Sequence, residues 1–269
     1  MGGPGELEVI GLGAFAGFTI FLGMPIARAT GLSDRSRAAL SAFATGILLF
    51  IFFDVLANAN GLIDDALDLG NRPLFLGYAA VLLVGFGVGM GSLIVLGHVY
   101  RSTMLVDEPT AGAEPGGLDP KSLATMIAAG IGLHNFSEGL AIGASYVSGA
   151  LALGTVLVVG FAIHNSTEGF GILGPGMMTG TRFSTARLFG LGLLGGGPTF
   201  LGTVVGSIVT SDALSILFYG LAAGAILFVV FQMARPMLGA ATRNVALAAI
   251  TIGFMAGYLT DLVVTLGGA

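Results

Sequence analysis

Residues 122–148 read SLATMIAAGIGLHNFSEGLAIGASYVS, and residues 151–175 read LALGTVLVVGFAIHNSTEGFGILGP. Each stretch is apolar and long enough to cross a bilayer, which takes a helix of about 20 residues. Each nevertheless carries the polar pattern H-N-x-x-E-G near its middle, at 134–139 and again at 164–169. Taken together the two stretches are too long for one span. We therefore expect two consecutive helices that turn near Gly149–Ala150.

The rest of the chain has a similar composition. Of its 269 residues, 55% are hydrophobic and 9% are charged, and the mean hydropathy is +0.95. Soluble domains carry about a quarter charged residues, so most of this chain is expected to face lipid or other helices. The 46 glycines fit membrane helices that approach closely. The absence of cysteine excludes disulfides and thiolate metal sites, and the net charge of −5 excludes nucleic acid as a partner.

Apolar segments of spanning length predict an all-α polytopic membrane protein that forms a single transmembrane domain over residues 1–269. The eight segments are about 7–27, 37–58, 74–97, 122–148, 151–175, 185–209, 213–234 and 245–266, with a polar break at Asp64–Pro73. Nine of the ten Lys and Arg residues follow odd-numbered segments, and only Arg72 follows an even one. By the positive-inside rule, both termini are extracytoplasmic and the loop at 98–121 is cytoplasmic. We expect a multi-pass protein of the cell (inner) membrane.

The ionisable residues of the two motifs are expected to meet. His and Glu at positions i and i+4 project from one face of a helix. Counted from the turn near residue 150, the His and Glu of two antiparallel helices lie within about 9 Å along the axis, at 1.5 Å per residue. A carboxylate at mid-bilayer depth is costly and indicates function. The candidate metal ligands are His134, Asn135, Glu138, His164, Asn165 and Glu168.

This set of donors suits a divalent transition metal. Imidazole and carboxylate ligands bind Zn²⁺ readily, and they also bind Fe²⁺ or Mn²⁺. Ca²⁺ or Mg²⁺ would require more oxygen ligands. Asp54 is a further carboxylate in an apolar segment, near the predicted outer end of 37–58. We interpret it either as an outer access point for cations or as a structural hydrogen-bonding group.

The eight segments and the two motifs together resemble the ZIP (Zrt/Irt-like) family of metal transporters. That family has eight spans, extracytoplasmic termini, a variable cytoplasmic loop after span three, and HNxPEG-like motifs on spans four and five. The resemblance implies that the six motif residues named above coordinate a transported ion. The ion is then cargo, and no separate cofactor is expected.

The sequence departs from the family pattern at several positions. Ser137 and Thr167 replace the proline that precedes each motif glutamate, and Gly197 occupies the place where span six often supplies a glutamate. Residues 185–209 contain no carboxylate at all. We therefore expect one principal ion and not a bridged pair.

Several functions remain open besides transport. One is a zinc-dependent intramembrane hydrolase with Glu138 or Glu168 as its general base, although we favour a protein that is not an enzyme. Others are a proton channel with incidental metal binding and a buried His–Glu network that only joins two helices. A retinal protein is excluded because the single lysine, Lys121, lies at a predicted membrane boundary. The expected partners are the metal ion and the lipid bilayer. The sequence does not decide whether the protein forms a homodimer.

Overall fold

The computed structural model describes residues 6–25, 33–103, 118–147, 151–237 and 243–266. Over these ranges the chain is helical, and none of the described residues forms a strand. The helices are α1 (Glu6–Phe18), α2 (Ile20–Gly23), α3 (Asp34–Asp68), α4 (Arg72–Thr103), α5 (Pro120–Val147), α6 (Leu151–Ile172), α7 (Gly174–Thr179), α8 (Thr185–Gly206), α9 (Asp212–Met237) and α10 (Arg243–Leu266).

Five of the described helices are long and apolar enough to cross a membrane, namely α3, α4, α8, α9 and α10. The stretch Leu7–Gly23, which covers α1 and α2, is apolar but shorter. The motif helices α5 and α6 are not among the five. In α5 the polar side chains of HNFSEG interrupt an otherwise apolar sequence. The chain therefore has the all-α, membrane-type architecture that its composition predicts, while the number of spans and their orientation stay predictions.

Helix α3 is longer than its sequence segment suggested. The predicted polar break at Asp64–Pro73 is helical as far as Asp68, so only three residues separate α3 from α4. Gly70 follows two residues after the end of the helix, and its positive φ of 71° is the left-handed conformation that glycine adopts at helix ends. The predicted turn at 149–150 lies outside the described residues, as does most of the predicted cytoplasmic loop at 98–121.

Glycines bring α4 against α9, and α3 against α10, in reciprocal pairs. In each pair, a glycine of one helix faces a backbone oxygen of its neighbour, and a glycine of the neighbour faces a backbone oxygen in return. A Cβ at any of these positions would collide with that oxygen. The contacts are Gly89 with Leu221 and Gly224 with Phe86 for α4 and α9, and Gly46 with Ile250 and Gly253 with Phe43 for α3 and α10.

The motif helices use the same device. Gly139, the last residue of the first motif, faces the backbone oxygen of Thr199 on α8. Gly169, the last residue of the second motif, faces the backbone oxygen of Ile20 on α2. The last glycine of each motif directly follows the motif glutamate. Because it has no side chain, its helix can pack closely against a neighbouring helix at that point. This close packing holds both glutamates inside the helix bundle.

Candidate metal centre

Four ionisable side chains from the two motifs converge between α5 and α6. His134 Nε2 lies 3.3 Å from Glu138 Oε1 and 3.9 Å from Glu168 Oε1, and His164 Nε2 lies 3.7 Å from Glu168 Oε1. The two imidazole rings meet edge to face with their centroids 5.7 Å apart. All four residues are buried, and none is more than 5% exposed. The structure therefore places both motifs in one buried cluster.

The two motif copies share their local structure. Ser137 donates a hydrogen bond from its hydroxyl to the backbone oxygen of His134 at 2.6 Å. Thr167 does the same to the backbone oxygen of His164 at 2.7 Å. In each helix the hydroxyl beside the glutamate is satisfied by the preceding turn, which is the usual way a Ser or Thr is accommodated inside a helix. Neither hydroxyl therefore needs a partner in the cluster.

The two asparagines have different partners. Asn135 donates from Nδ2 to Glu168 Oε2 at 2.8 Å and to the backbone oxygen of Gly195 at 3.0 Å. Asn165 donates from Nδ2 to the backbone oxygen of Ala16 on α1 at 3.0 Å. Asn135 thus orients a carboxylate of the cluster, whereas the amide of Asn165 joins α6 to α1.

Asp54 belongs to this cluster. One ligand atom each from Asp54, His134 and His164 lie within 4.8 Å of one another. The sequence marked Asp54 as unusual but placed it near the outer end of its span. In the structure Asp54 lies in the interior of α3, and its carboxylate approaches the two histidines.

Helix α8 contributes a backbone group to the centre. The oxygen of Gly195 accepts a hydrogen bond from Asn135, as described above. Gly197, which we compared with the family's glutamate position, instead lines an apolar groove with Phe18 and Leu193. Sequence reasoning had no signal for Gly195, because a backbone oxygen is present at every residue.

Seven buried side-chain atoms of the motif residues lack hydrogen-bond partners among the described residues. They are His134 Nδ1 and Nε2, His164 Nε2, Glu138 Oε2, Glu168 Oε1, Asn135 Oδ1 and Asn165 Oδ1. Buried polar groups in proteins are nearly always paired, and each unpaired one costs about 1–3 kcal/mol. Such a concentration of imidazole nitrogens and carboxylate oxygens is the donor chemistry that a transition metal uses.

The spacing of the donors also fits a metal ion. Two ligands bound about 2.05 Å from a tetrahedral zinc ion lie about 3.3 Å from each other. The separation of His134 Nε2 and Glu138 Oε1, 3.3 Å, matches that value, and the 3.7 and 3.9 Å separations are slightly longer. Only the His134–Glu168 pair joins the two helices, so a small closure of α5 onto α6 would shorten it, whereas the His164–Glu168 pair shortens by side-chain rotation within α6.

Comparison with known proteins leaves the family open. No protein-family model matches the chain, and no curated protein is significantly similar to it in sequence. The resemblance to ZIP transporters therefore stays a prediction from the two motifs and the segment pattern. The functional assignment has to rest on the chemistry of the cluster.

Proposed function

We propose that the chain transports a divalent transition-metal cation through the cluster between α5 and α6. Zn²⁺ is the favoured cargo, with Fe²⁺ or Mn²⁺ as alternatives. One observation carries the proposal: buried imidazole and carboxylate groups from both motifs converge, and five of their nitrogen and oxygen atoms lack hydrogen-bond partners among the described residues. A network that only stabilised the fold would be expected to satisfy its own polar atoms.

The ligands in this proposal come from three helices. Asp54 is on α3, His134 and Glu138 are on α5, and His164 and Glu168 are on α6. Since the site depends on how these helices sit against one another, a relative movement would open or disassemble it. Binding sites at the interface of moving helix groups are typical of transporters that work by alternating access.

A ZIP-like topology is part of the same proposal. We assign eight spans, with α1 and α2 together as the first and α6 continued by α7 as the fifth, and both termini extracytoplasmic. The helix contacts support a paired arrangement, because α4 packs against α9 as α3 packs against α10. The positive-inside distribution of Lys and Arg supports the orientation.

Metal flux into proteoliposomes tests the proposal directly. We expect His134→Ala and Glu168→Ala to abolish flux while the protein stays folded and inserted. The matched control is His98→Ala, since His98 is an exposed histidine of α4 outside the cluster. Full flux through both cluster variants at normal expression would remove the cluster from the mechanism.

The same vesicles distinguish the other functions. Lipid hydrolysis that is lost in Glu138→Gln would favour the zinc-dependent hydrolase, and proton flux without metal flux would favour the channel. Metal analysis of the purified protein should give one ion per chain. Two ions about 4 Å apart, the separation of two-metal sites, would contradict that stoichiometry.

A further inference from the structure

A cavity of about 230 Å³ has walls that are partly polar and partly apolar. Its walls come from α3, α5, the turn before α9, and α9 itself. The polar side chains that line it include Asn58, Ser211, Asp212, Ser215 and Tyr219. None of the lining residues is a histidine, so the cavity offers oxygen atoms where the centre offers both nitrogen and oxygen.

The helix register places the cavity one turn from the centre. Asn58 follows Asp54 by four residues on α3, and Ala141 follows Glu138 by three residues on α5. One turn of an α-helix is about 5.4 Å, so the cavity begins about one turn beyond both carboxylates. Tyr219 of α9 also lines it and is only 9% exposed, which places this ring at the buried end of the cavity.

On the other side of the centre, α5 and α6 present apolar side chains. Ile131 precedes His134 by three residues, and Ile172 follows Glu168 by four; both are fully buried. Because α5 and α6 are expected to run antiparallel, these two isoleucines lie on the same side of the centre, away from the cavity. The centre is therefore bordered by a partly polar cavity on one side and by packed aliphatic side chains on the other.

The size and chemistry of the cavity suit a hydrated cation. Six water molecules occupy about 180 Å³ at about 30 Å³ each, which is within the cavity volume. Hydroxyl and amide oxygens can hydrogen-bond to such waters without displacing them. Asp212 supplies a negative charge at the rim, where its carboxylate accepts a hydrogen bond from Tyr78 of α4.

We propose that this cavity is the access chamber through which a hydrated divalent cation reaches the metal centre, with Tyr219 between the chamber and the ligands. The inference rests on the proposed transport function. In the orientation given above, the chamber opens to the extracytoplasmic side. The ion keeps its waters in the chamber and exchanges them for imidazole and carboxylate ligands only at the centre.

Thiol labelling tests this route cleanly, because the chain has no native cysteine. Ser215→Cys places a near-isosteric thiol in the cavity wall, and Ala144→Cys on α5 is a second variant for the same cavity. Leu69→Cys is the matched control, since Leu69 is 82% exposed in the turn between α3 and α4. Each variant is treated in proteoliposomes with a membrane-impermeant methanethiosulfonate that carries a trimethylammonium group, and Zn²⁺ uptake is then measured.

We expect the cationic adduct at Ser215→Cys or Ala144→Cys to slow Zn²⁺ uptake by about tenfold or more, because charge in a cleft changes cation access by that order. The same adduct at Leu69→Cys should leave uptake unchanged. Complete labelling of both cavity variants with normal uptake would overturn this proposal alone, and so would their failure to label while Leu69→Cys reacts. An unlabelled protein that takes up no metal would remove the transport function and the access route together.

Discussion

Asn135 on α5 donates a hydrogen bond from Nδ2 to Oε2 of Glu168 on α6, at 2.8 Å. This bond joins the first copy of the motif to the second across two helices. Among the described residues, Asn165 makes no corresponding bond to Glu138, because its amide donates to Ala16 instead. Two motifs that are almost identical in sequence therefore hold their glutamates differently.

The two asparagines should consequently behave differently when each is replaced by alanine. Asn135→Ala should weaken metal binding by about 10–100-fold, as is usual when a residue that orients a ligand is lost. Asn165→Ala should leave the affinity close to wild type and lower the free energy of unfolding by about 0.5–1.5 kcal/mol through one lost hydrogen bond. Metal titration and thermal unfolding in detergent measure both effects. Equal losses of affinity would show that Asn165 also serves the site.

The substitution Asp54→Asn tests whether Asp54 binds the metal ion or only helps cations to reach the site. If Asp54 binds the ion, the substitution keeps the side-chain shape but removes the charge, and we expect affinity to fall by more than tenfold, or about 1.4 kcal/mol. Asp68→Asn is the control, because Asp68 is exposed at the end of the same helix. Slower uptake at unchanged equilibrium affinity would instead support the interpretation of Asp54 as an outer access point.

The reciprocal glycine contacts predict position-specific effects on stability. Gly224→Ala should destabilise the protein by about 1–3 kcal/mol, because the new methyl group collides with the backbone oxygen of Phe86. Gly87→Ala on the facing helix is the control. Gly87 is exposed and a Cβ there meets nothing within 4 Å, so we expect no loss of stability. Thermal unfolding in detergent compares the two, and similar melting temperatures would contradict the packing.

The convergence of the motifs could be predicted from the sequence because it depends on regular helix geometry. The i, i+4 spacing of His and Glu sets one face of each helix, and the 30-residue separation of His134 and His164 sets a common depth once the helices are antiparallel. No knowledge of the neighbouring helices was required for that step. The low charge and high glycine content likewise predicted the all-α, close-packed architecture.

Other parts of the site depend on irregular or tertiary features. The approach of Asp54 to the histidines depends on how α3 packs against the motif helices, which no local sequence pattern encodes. The end of α3 was also not predicted, because the aspartates after residue 63 suggested a loop although the helix continues to Asp68. Gly195 contributes only its backbone oxygen, and a backbone oxygen has no sequence signature. The difference between Asn135 and Asn165 comes from the helices that they face and not from the motif itself.

Metal binding to the cluster should depend on pH. An imidazole must be neutral and a carboxylate ionised to bind a metal, so protons and metal compete for the same atoms. The protonated form of both kinds of ligand is favoured as the pH falls. Metal affinity should therefore decrease as the pH falls, and metal binding should release protons.

The pH profile should change in a specific way when both histidines are replaced. The double variant His134→Gln, His164→Gln keeps Asp54, Glu138 and Glu168, so it should bind metal more weakly and depend less on pH, because the imidazoles no longer compete for protons. A pH dependence that comes from the three carboxylates should remain. Metal titrations of both proteins in detergent over a series of pH values provide the comparison. Since a buried structural network would not bind metal through these imidazoles, identical profiles would show that His134 and His164 are not ligands.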